Sequence, residues 1–387
     1  MLVSPQCVQL LNFVPMIIAI NTRTITENSA MLNFIEPCLQ LIVAQHPEHS
    51  FVIIAEKPLL MQIGKPQNVQ TIIIKQQAVN PLLWKIWHWY KLPLLLKKIK
   101  ANVLINAAGD CVMRTKVPQC LIVNNLNFLL YPEWNEKKYN RYIQSNSGAF
   151  YQKATKIIAA TPFLKKQLIA RYKVDESKIA VIYPGTDPLY QPITWDEKEL
   201  IKEQFSNGKE YFLFYGEVNS SANIIMLLKA FSFFKKRQKS NMQLVIINKK
   251  EDENQPVLAS IATYKYRNEV ILLQKLTAQN LHSITAAAYA FVSVGYYEND
   301  FSKLFNVLQC RVPVVTGNLD ANIEMLADAA LYANPSNFED IADKMMLLFK
   351  NEDKRLNCIE NGEQFIKEYS WKLSANIFWK TILATIE

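Results

Sequence analysis

The chain reads as an α/β protein made of two doubly wound, parallel-sheet halves. Three observations predict this. Short apolar runs of strand length alternate with segments of helical period along the 387 residues, the order that sets parallel strands side by side with helices between them. The same plan starts afresh after residues 191–200. The chain also exceeds the roughly 250–300 residues at which single cores stop growing.

Taken in order, VPMIIAIN (14–21) is a first buried strand, followed by a Thr/Asn/Ser loop and a helix, MLNFIEPCLQLIVAQH, interrupted by Pro37. FVIIAE (51–56) and TIIIK (71–75) are the next strands. LLWKIWHWYKLPLLLKKI is an aromatic-rich helical stretch in which His88, among three Trp, reads as packing rather than a ligand. NVLIN (102–106) and CLIVNN (120–125) are strands, and a helix rich in Lys and Tyr spans 136–153. KIIAAT (156–161) leads into a helix opened by Thr161-Pro162. IAVIYPGTD (179–187) closes this half in a Pro-Gly turn.

QPITWDEKEL (191–200) is the expected linker. The second half then runs YFLFYGEV (211–218), helix IIMLLKAFSFFKKRQ, strands QLVIIN (243–248) and VILLQKL (270–276), and helix 278–288. A last helix begins near Ser370-Trp371. The expected domains are 1–190 and 191–371, with 372–387 returning to the first.

Residues 285–317 hold the candidate site: a strand at 290–294, a loop with Glu298 and Asp300, a helix at 302–310 and a strand at 312–316. Open α/β sheets bind ligands at the carboxyl ends of their strands. A helix N-terminus there favours an anion such as phosphate. Ser302 is the expected N-cap, Lys303 adds a cation, and Asn306 follows Glu298 by eight residues, so both can face one pocket. The plainer reading is a βαβ unit with solvated loop charges.

Composition is globular, with 50% apolar and 20% charged residues. No apolar run approaches the roughly 18 residues that span a bilayer, and the N-terminus lacks a basic region and a cleavage site. The six cysteines (7, 38, 111, 120, 310, 358) form no CxxC pair and read as buried thiols of a cytoplasmic protein. Residues 1–190 hold 21 Lys and Arg against 10 Asp and Glu, and the remainder 22 against 24. The basic segments 91–100, EKKYNRY and TPFLKKQLIARYK mix cations with apolar residues at helical spacing. They fit solvated helix faces or an anionic membrane face, and no nucleic-acid module accompanies them. The sequence carries no GxGxxG, P-loop or GxSxG. His46 and His49 flank a Pro at a helix end and read as a turn, and EDE (251–253) reads as a solvated tip, so no metal site is expected.

In their order and spacing, KIAVIYPGTDPLYQPI, KIIAATPFLKKQL, NNLNFLLYPEW, AAAYAFVSVGYYE, CRVPVVTGNLDANIEMLADAALYANPSNFEDIADKM and GEQFIKEYSWKLSA resemble retaining glycosyltransferases of family 4. Those enzymes have the GT-B fold, in which two Rossmann-like domains face a central cleft. The resemblance implies that Glu298 contacts the donor sugar and that Asn306 stands where a second Glu holds the ribose hydroxyls. It also implies departures. After Gly216 the family's diphosphate-binding Arg is Glu217, and its Lys is Ala222 beside a retained Asn223. The family's His-Asp pair is Asn124-Asn125, and its glycine-rich acceptor loop is residues 24–30. Glu324 matches a family Glu near the sheet edge.

The expectation is a glycosyltransferase-like protein of cell-surface polysaccharide assembly with an eroded donor site. It would take a nucleotide-diphosphate sugar and a glycan or lipid-linked acceptor, need no cofactor, and touch the inner membrane face peripherally. Gly216, Asn223, Ser302, Lys303 and Asn306 would bind the donor. The alternative is a non-catalytic relative, a pseudoenzyme that binds a partner.

Overall fold

The computed structural model describes residues 14–22, 30–56, 67–74, 86–107, 109–132, 137–218, 220–249, 256–298 and 300–387. The expected acceptor loop ahead of Ala30, the EDE run and Cys7 lie outside the described residues. The chain divides into two compact units: residues 1–123, 138–158 and 378–387, and residues 124–137 with 159–377.

The first sheet contains β1 (Ile17–Asn21), β2 (Ser50–Ala55), β3 (Val69–Ile73), β4 (Val103–Asn106), β5 (Gln119–Val123), β6 (Lys156–Ala159) and β7 (Ile179–Val181). Their order is β3-β2-β1-β4-β5-β6-β7. The second contains β8 (Tyr211–Gly216), β9 (Gln243–Asn248), β10 (Val270–Leu273), β11 (Ala290–Ser293), β12 (Val314–Gly317) and β13 (Ala330–Ala333), in the order β10-β9-β8-β11-β12-β13. The described pairings are parallel. In each sheet the half's first strand lies inside and the order reverses beside it, which creates a switch point.

Side chains alternate across a strand, and the second sheet uses both faces. Phe212, Phe214, Leu244, Ile246 and Val292 join one core, with Leu227, Phe231, Phe234, Ile341 and Met345 from the helices Ile224–Gln238 and Phe338–Lys350. Tyr211, Leu213, Val245, Ile247 and Phe291 join the other, with Ile284, Leu304, Phe305 and Leu308 from Ala278–Ala287 and Phe301–Gln309. In the first unit Ala19, Ile54, Leu104 and Val112 pack on Trp87, Leu92 and Leu96.

Local chemistry explains the element ends. Thr161 Oγ1 accepts from Leu164 N at 3.1 Å and caps Pro162–Tyr172. The expected linker stops early, because Thr194 and Glu197 form a capping box that starts the helix Trp195–Ser206 inside it. The strand expected over 270–276 ends at Leu273, short of Lys275, which has φ 54°. Pro93 lacks the N–H that would reach the Trp89 carbonyl, and the turn before it, Trp87–Lys91, widens to a π-turn leading into Leu92–Lys98.

Cys38, Cys111, Cys120, Cys310 and Cys358 are free and buried. Burial pushes the Cys120 thiol up to about 12, with a hydrogen bond from Thr385 opposing. His88 is buried as expected, and it has a charged companion: its Nε2 lies 3.3 Å from Asp110 Oδ2, also buried.

His49, at the turn before β2, is buried, and its Nδ1 accepts from Met16 N at 3.2 Å. Burial holds its pKa below the ordinary value, with Glu48 opposing and His46 adding. A depressed histidine stabilises the fold above its unfolded pKa of about 6.5. That contribution disappears as pH falls through the folded value, because the unfolded chain takes up the proton first. Unfolding free energy from urea titrations should therefore drop between about pH 7 and pH 5. His49→Gln should flatten that part of the slope, and an unchanged slope would exclude His49 as its source.

Candidate active site

The loops after β8 and β11 leave adjacent strands at the carboxyl edge of the second sheet, at its switch point. A Cβ on Gly295 would stand 2.9 Å from Ser221 O, and Tyr296 N donates to that same carbonyl at 3.1 Å. Glycine is what lets the two loops lie against each other. Asn223, at φ 59°, sits ahead of the helix Ile224–Gln238. Its Nδ2 donates to Val294 O at 2.9 Å and Pro335 O at 2.7 Å. Expected as a donor-binding residue, it commits its amide N–H groups to holding strand ends.

Glu298 is the hub of the β11 loop. Its Oε1 accepts from Asp300 N at 3.0 Å and its Oε2 from Lys303 Nζ at 2.9 Å. The two charged side chains are only 10% and 11% exposed. Ser302 Oγ donates to Asp300 Oδ1. Asp300, not Ser302, occupies the N-cap of Phe301–Gln309, and it makes no side-chain cap bond. Ser302 is displaced because the helix begins one residue earlier, with Phe301 buried in the core.

The structure thus gathers Glu298, Ser302 and Lys303 into one network and sends Asn306 elsewhere. Asn306 Oδ1 accepts from Asp187 N at 2.8 Å, tying the helix to the 184–187 turn. Asn124 and Asn125 fix their own loop: Asn125 Nδ2 donates to Asn124 Oδ1 at 2.9 Å, and Asn125 Oδ1 accepts from Asn127 N at 3.2 Å. That loop meets the β11 loop. Tyr131 OH donates to Tyr296 O at 2.8 Å, and Tyr297 OH accepts from Leu126 N at 3.4 Å. Glu324 pairs with Lys166 at 2.6 Å.

Sequence reasoning missed Lys249. It follows β9, whose Asn248 stands in register with Gly216, and its N–H donates to Gly216 O at 2.9 Å. Burial holds the Lys249 ammonium below its ordinary pKa; Asp300 raises it, Lys303 lowers it and Glu217 raises it. Burial likewise raises Tyr215, with Asp300 and Glu298 adding to it. Lys249 thus shares the site's field. Among the described residues no carboxylate lies within ion-pair distance of it, whereas Lys303 is held by Glu298. The rule that ligands bind beyond strand ends points to β9 as much as to β8, and would have found it.

Elsewhere, ligand atoms of His46, Glu48 and His49 lie within 4.8 Å of one another. The Met16 N–H directed at His49 Nδ1 assigns the proton of neutral His49 to Nε2, the atom 3.6 Å from Glu48 Oε1. His46 stacks on Trp379 with ring centroids 3.8 Å apart. This donor set suits hydrogen bonding to Glu48 rather than a metal.

A six-stranded parallel sheet whose polar loops converge at the switch point, together with a second doubly wound sheet in the same chain, fits the GT-B class. Residues 48–188 match the family Glycosyltransferase Family 4, and residues 196–365 match Glycosyl transferases group 1. The chain belongs to these GT-B glycosyltransferases. It is 21% identical over 313 residues to the O-antigen chain mannosyltransferase RfbU of Salmonella typhimurium, covering 79% of this chain and 80% of that one. It is 20% identical over 250 residues to O-antigen chain mannosyltransferase B of Escherichia coli, covering 64% of this chain and 66% of the relative. The fold also matches HepE of Anabaena, solved in complex with UDP and glucose, with a TM-score of 0.73, 13% identity, and coverage of 95% and 100%.

Proposed function

We propose that the protein transfers a sugar from a nucleotide-diphosphate sugar to a glycan or lipid-linked acceptor in cell-surface polysaccharide assembly. Residues 1–190 serve the acceptor and 191–371 the donor, with 372–387 packed on the former. The relatives' O-antigen mannosyltransferase names and the UDP and glucose held by HepE support the substrate class. The observation that carries the reading is Glu298, fixed by Lys303 and by the Asp300 N–H at the mouth of the Phe301–Gln309 helix. Glu298 orients the donor sugar. Lys249 and the free N–H groups of that helix face the diphosphate, with Ser302 beside them. Transfer in such a site rests on electrostatic stabilisation of the departing nucleotide diphosphate.

Glu217 and Ala222, where the family has two cations, make donor binding weak. Charge-assisted hydrogen bonds contribute about 1.5–3 kcal/mol each, so Lys249→Ala is expected to weaken UDP or GDP binding by about 10- to 150-fold in calorimetric titration. The acidic surroundings, with Glu217, Glu298 and Asp300 near Lys249 and Lys303, favour one second reading, a non-catalytic binding partner. Thermal shift and turnover assays with UDP- and GDP-sugars separate the two. Stabilisation with sugar transfer supports the enzyme. If millimolar donor gives neither a shift nor hydrolysis, the transferase reading falls and the partner reading stands.

A further inference from the structure

In the first unit, the helical stretch from Ile86 to Lys98 buries Trp87, His88, Leu92 and Leu96 and leaves an outer stripe uncovered. Trp89 is 38%, Tyr90 52% and Leu94 67% exposed. Isolated exposed apolar residues need no explanation, but these share one helix face at i, i+4 spacing with Ile86, Lys97 and Lys98. The aromatic pair is held in place: the Arg114 guanidinium lies 4.9 Å over the Trp89 ring and 5.1 Å over Tyr90, and its Nη1 donates to Tyr90 OH at 2.9 Å.

The exposed charge of the stripe's own stretch of chain, residues 86–118, has one sign. Lys91, Lys97, Lys98, Lys100, Arg114 and Lys116 are all exposed, and the single acid in residues 86–118, Asp110, is buried against His88. Trp and Tyr rings suit the level of lipid headgroups, and an apolar stripe flanked by Lys and Arg is the pattern of helices that lie in a membrane interface. Among the described residues no helix is long and apolar enough to cross a bilayer, so this is a surface contact.

We infer that Trp89, Tyr90 and Leu94, with Arg114 against the two rings and the exposed lysines of residues 91–116 close by in the chain, form a docking face for an anionic lipid surface. The face goes beyond the proposed function, which names no membrane contact, and vesicle binding can be read without any transfer assay. A failure here therefore leaves the transferase reading untouched, and a failure of that reading leaves this one standing.

The test is co-sedimentation of the full chain with vesicles of phosphatidylcholine alone or with about one-third phosphatidylglycerol. Binding to the anionic vesicles should exceed that to the neutral ones by about tenfold or more and weaken as salt rises. Two variants divide the contributions: Trp89→Ser with Leu94→Glu removes the apolar stripe, and Lys97→Glu with Lys98→Glu reverses charge. All four positions are exposed, so circular dichroism should show both variants folded. Each is expected to lose most anionic-vesicle binding. Absence of binding to anionic vesicles, equal binding to neutral ones, or full binding by both folded variants would each overturn the proposal.

Discussion

Glu298→Ala is expected to destabilise the second unit by about 3–5 kcal/mol, the usual loss when one partner of a buried ion pair is removed and the other keeps its charge. Both side chains are nearly buried, and the Asp300 N–H loses its acceptor as well. Lys303→Ala should cost a similar amount, because Glu298 would be left unpaired. The double variant should cost clearly less than the two single effects together, since neither orphaned charge remains. Urea unfolding of the four proteins measures this, and strict additivity would show that the pair is not coupled. Glu298→Gln keeps an oxygen for Asp300 N–H and should lose less stability. If the protein transfers sugar as proposed, Glu298→Gln should still lose at least about a hundredfold in kcat/KM, because the residue's charge faces the donor.

Gly185→Ala should be the other severe change. A Cβ at Gly185 would fall 2.2 Å from Trp371 N and 2.8 Å from both Ser370 C and Trp371 Cγ. Two of those atoms are main chain, so the helix Trp371–Ile386 would have to move at its first turn, where Ser374 Oγ also donates to Tyr183 O at 2.5 Å. Overpacking costs about 1–3 kcal/mol where side chains can adjust, and a backbone clash belongs at or above the top of that range. The same turn presents Asp187 N to Asn306, so the disturbance reaches the Phe301–Gln309 helix. Gly109→Ala is the contrast: its φ of 75° carries strain, but nothing lies within 4 Å of the added carbon. If both variants unfold at the same urea concentration, the close approach at Gly185 is not a constraint.

Most of the fold was legible because buried parallel strands announce themselves as apolar runs and helix starts carry their own chemistry, as Thr161-Pro162 does. The order of strands within a sheet is a long-range property, and for that the resemblance to a family mattered. The site was less legible. Glu298, Ser302 and Lys303 could be placed together from spacing, but pairing among them depends on side-chain direction. Asn306 and Asn223 look like ligands in a linear sequence, yet the backbone groups they hold lie 119 and 71 residues away. Lys249 was passed over although it follows directly on a strand end, because only the laying of β9 beside β8 shows which strand ends share the site. His88 was recognised as buried, while its partner Asp110 sits beyond another strand.

The double-sided loading of the second sheet carries a consequence for how such a protein diverges. Odd and even residues of β8 and β9 feed different cores, so inserting or deleting one residue within a strand would turn its aromatic and branched side chains onto the wrong layer. Change is therefore channelled into the connections at the strand tips, where a cation can migrate from one connection to the next while the layers beneath stay as they are. A scaffold of this kind can trade the charges that meet a substrate one loop at a time without renegotiating its interior.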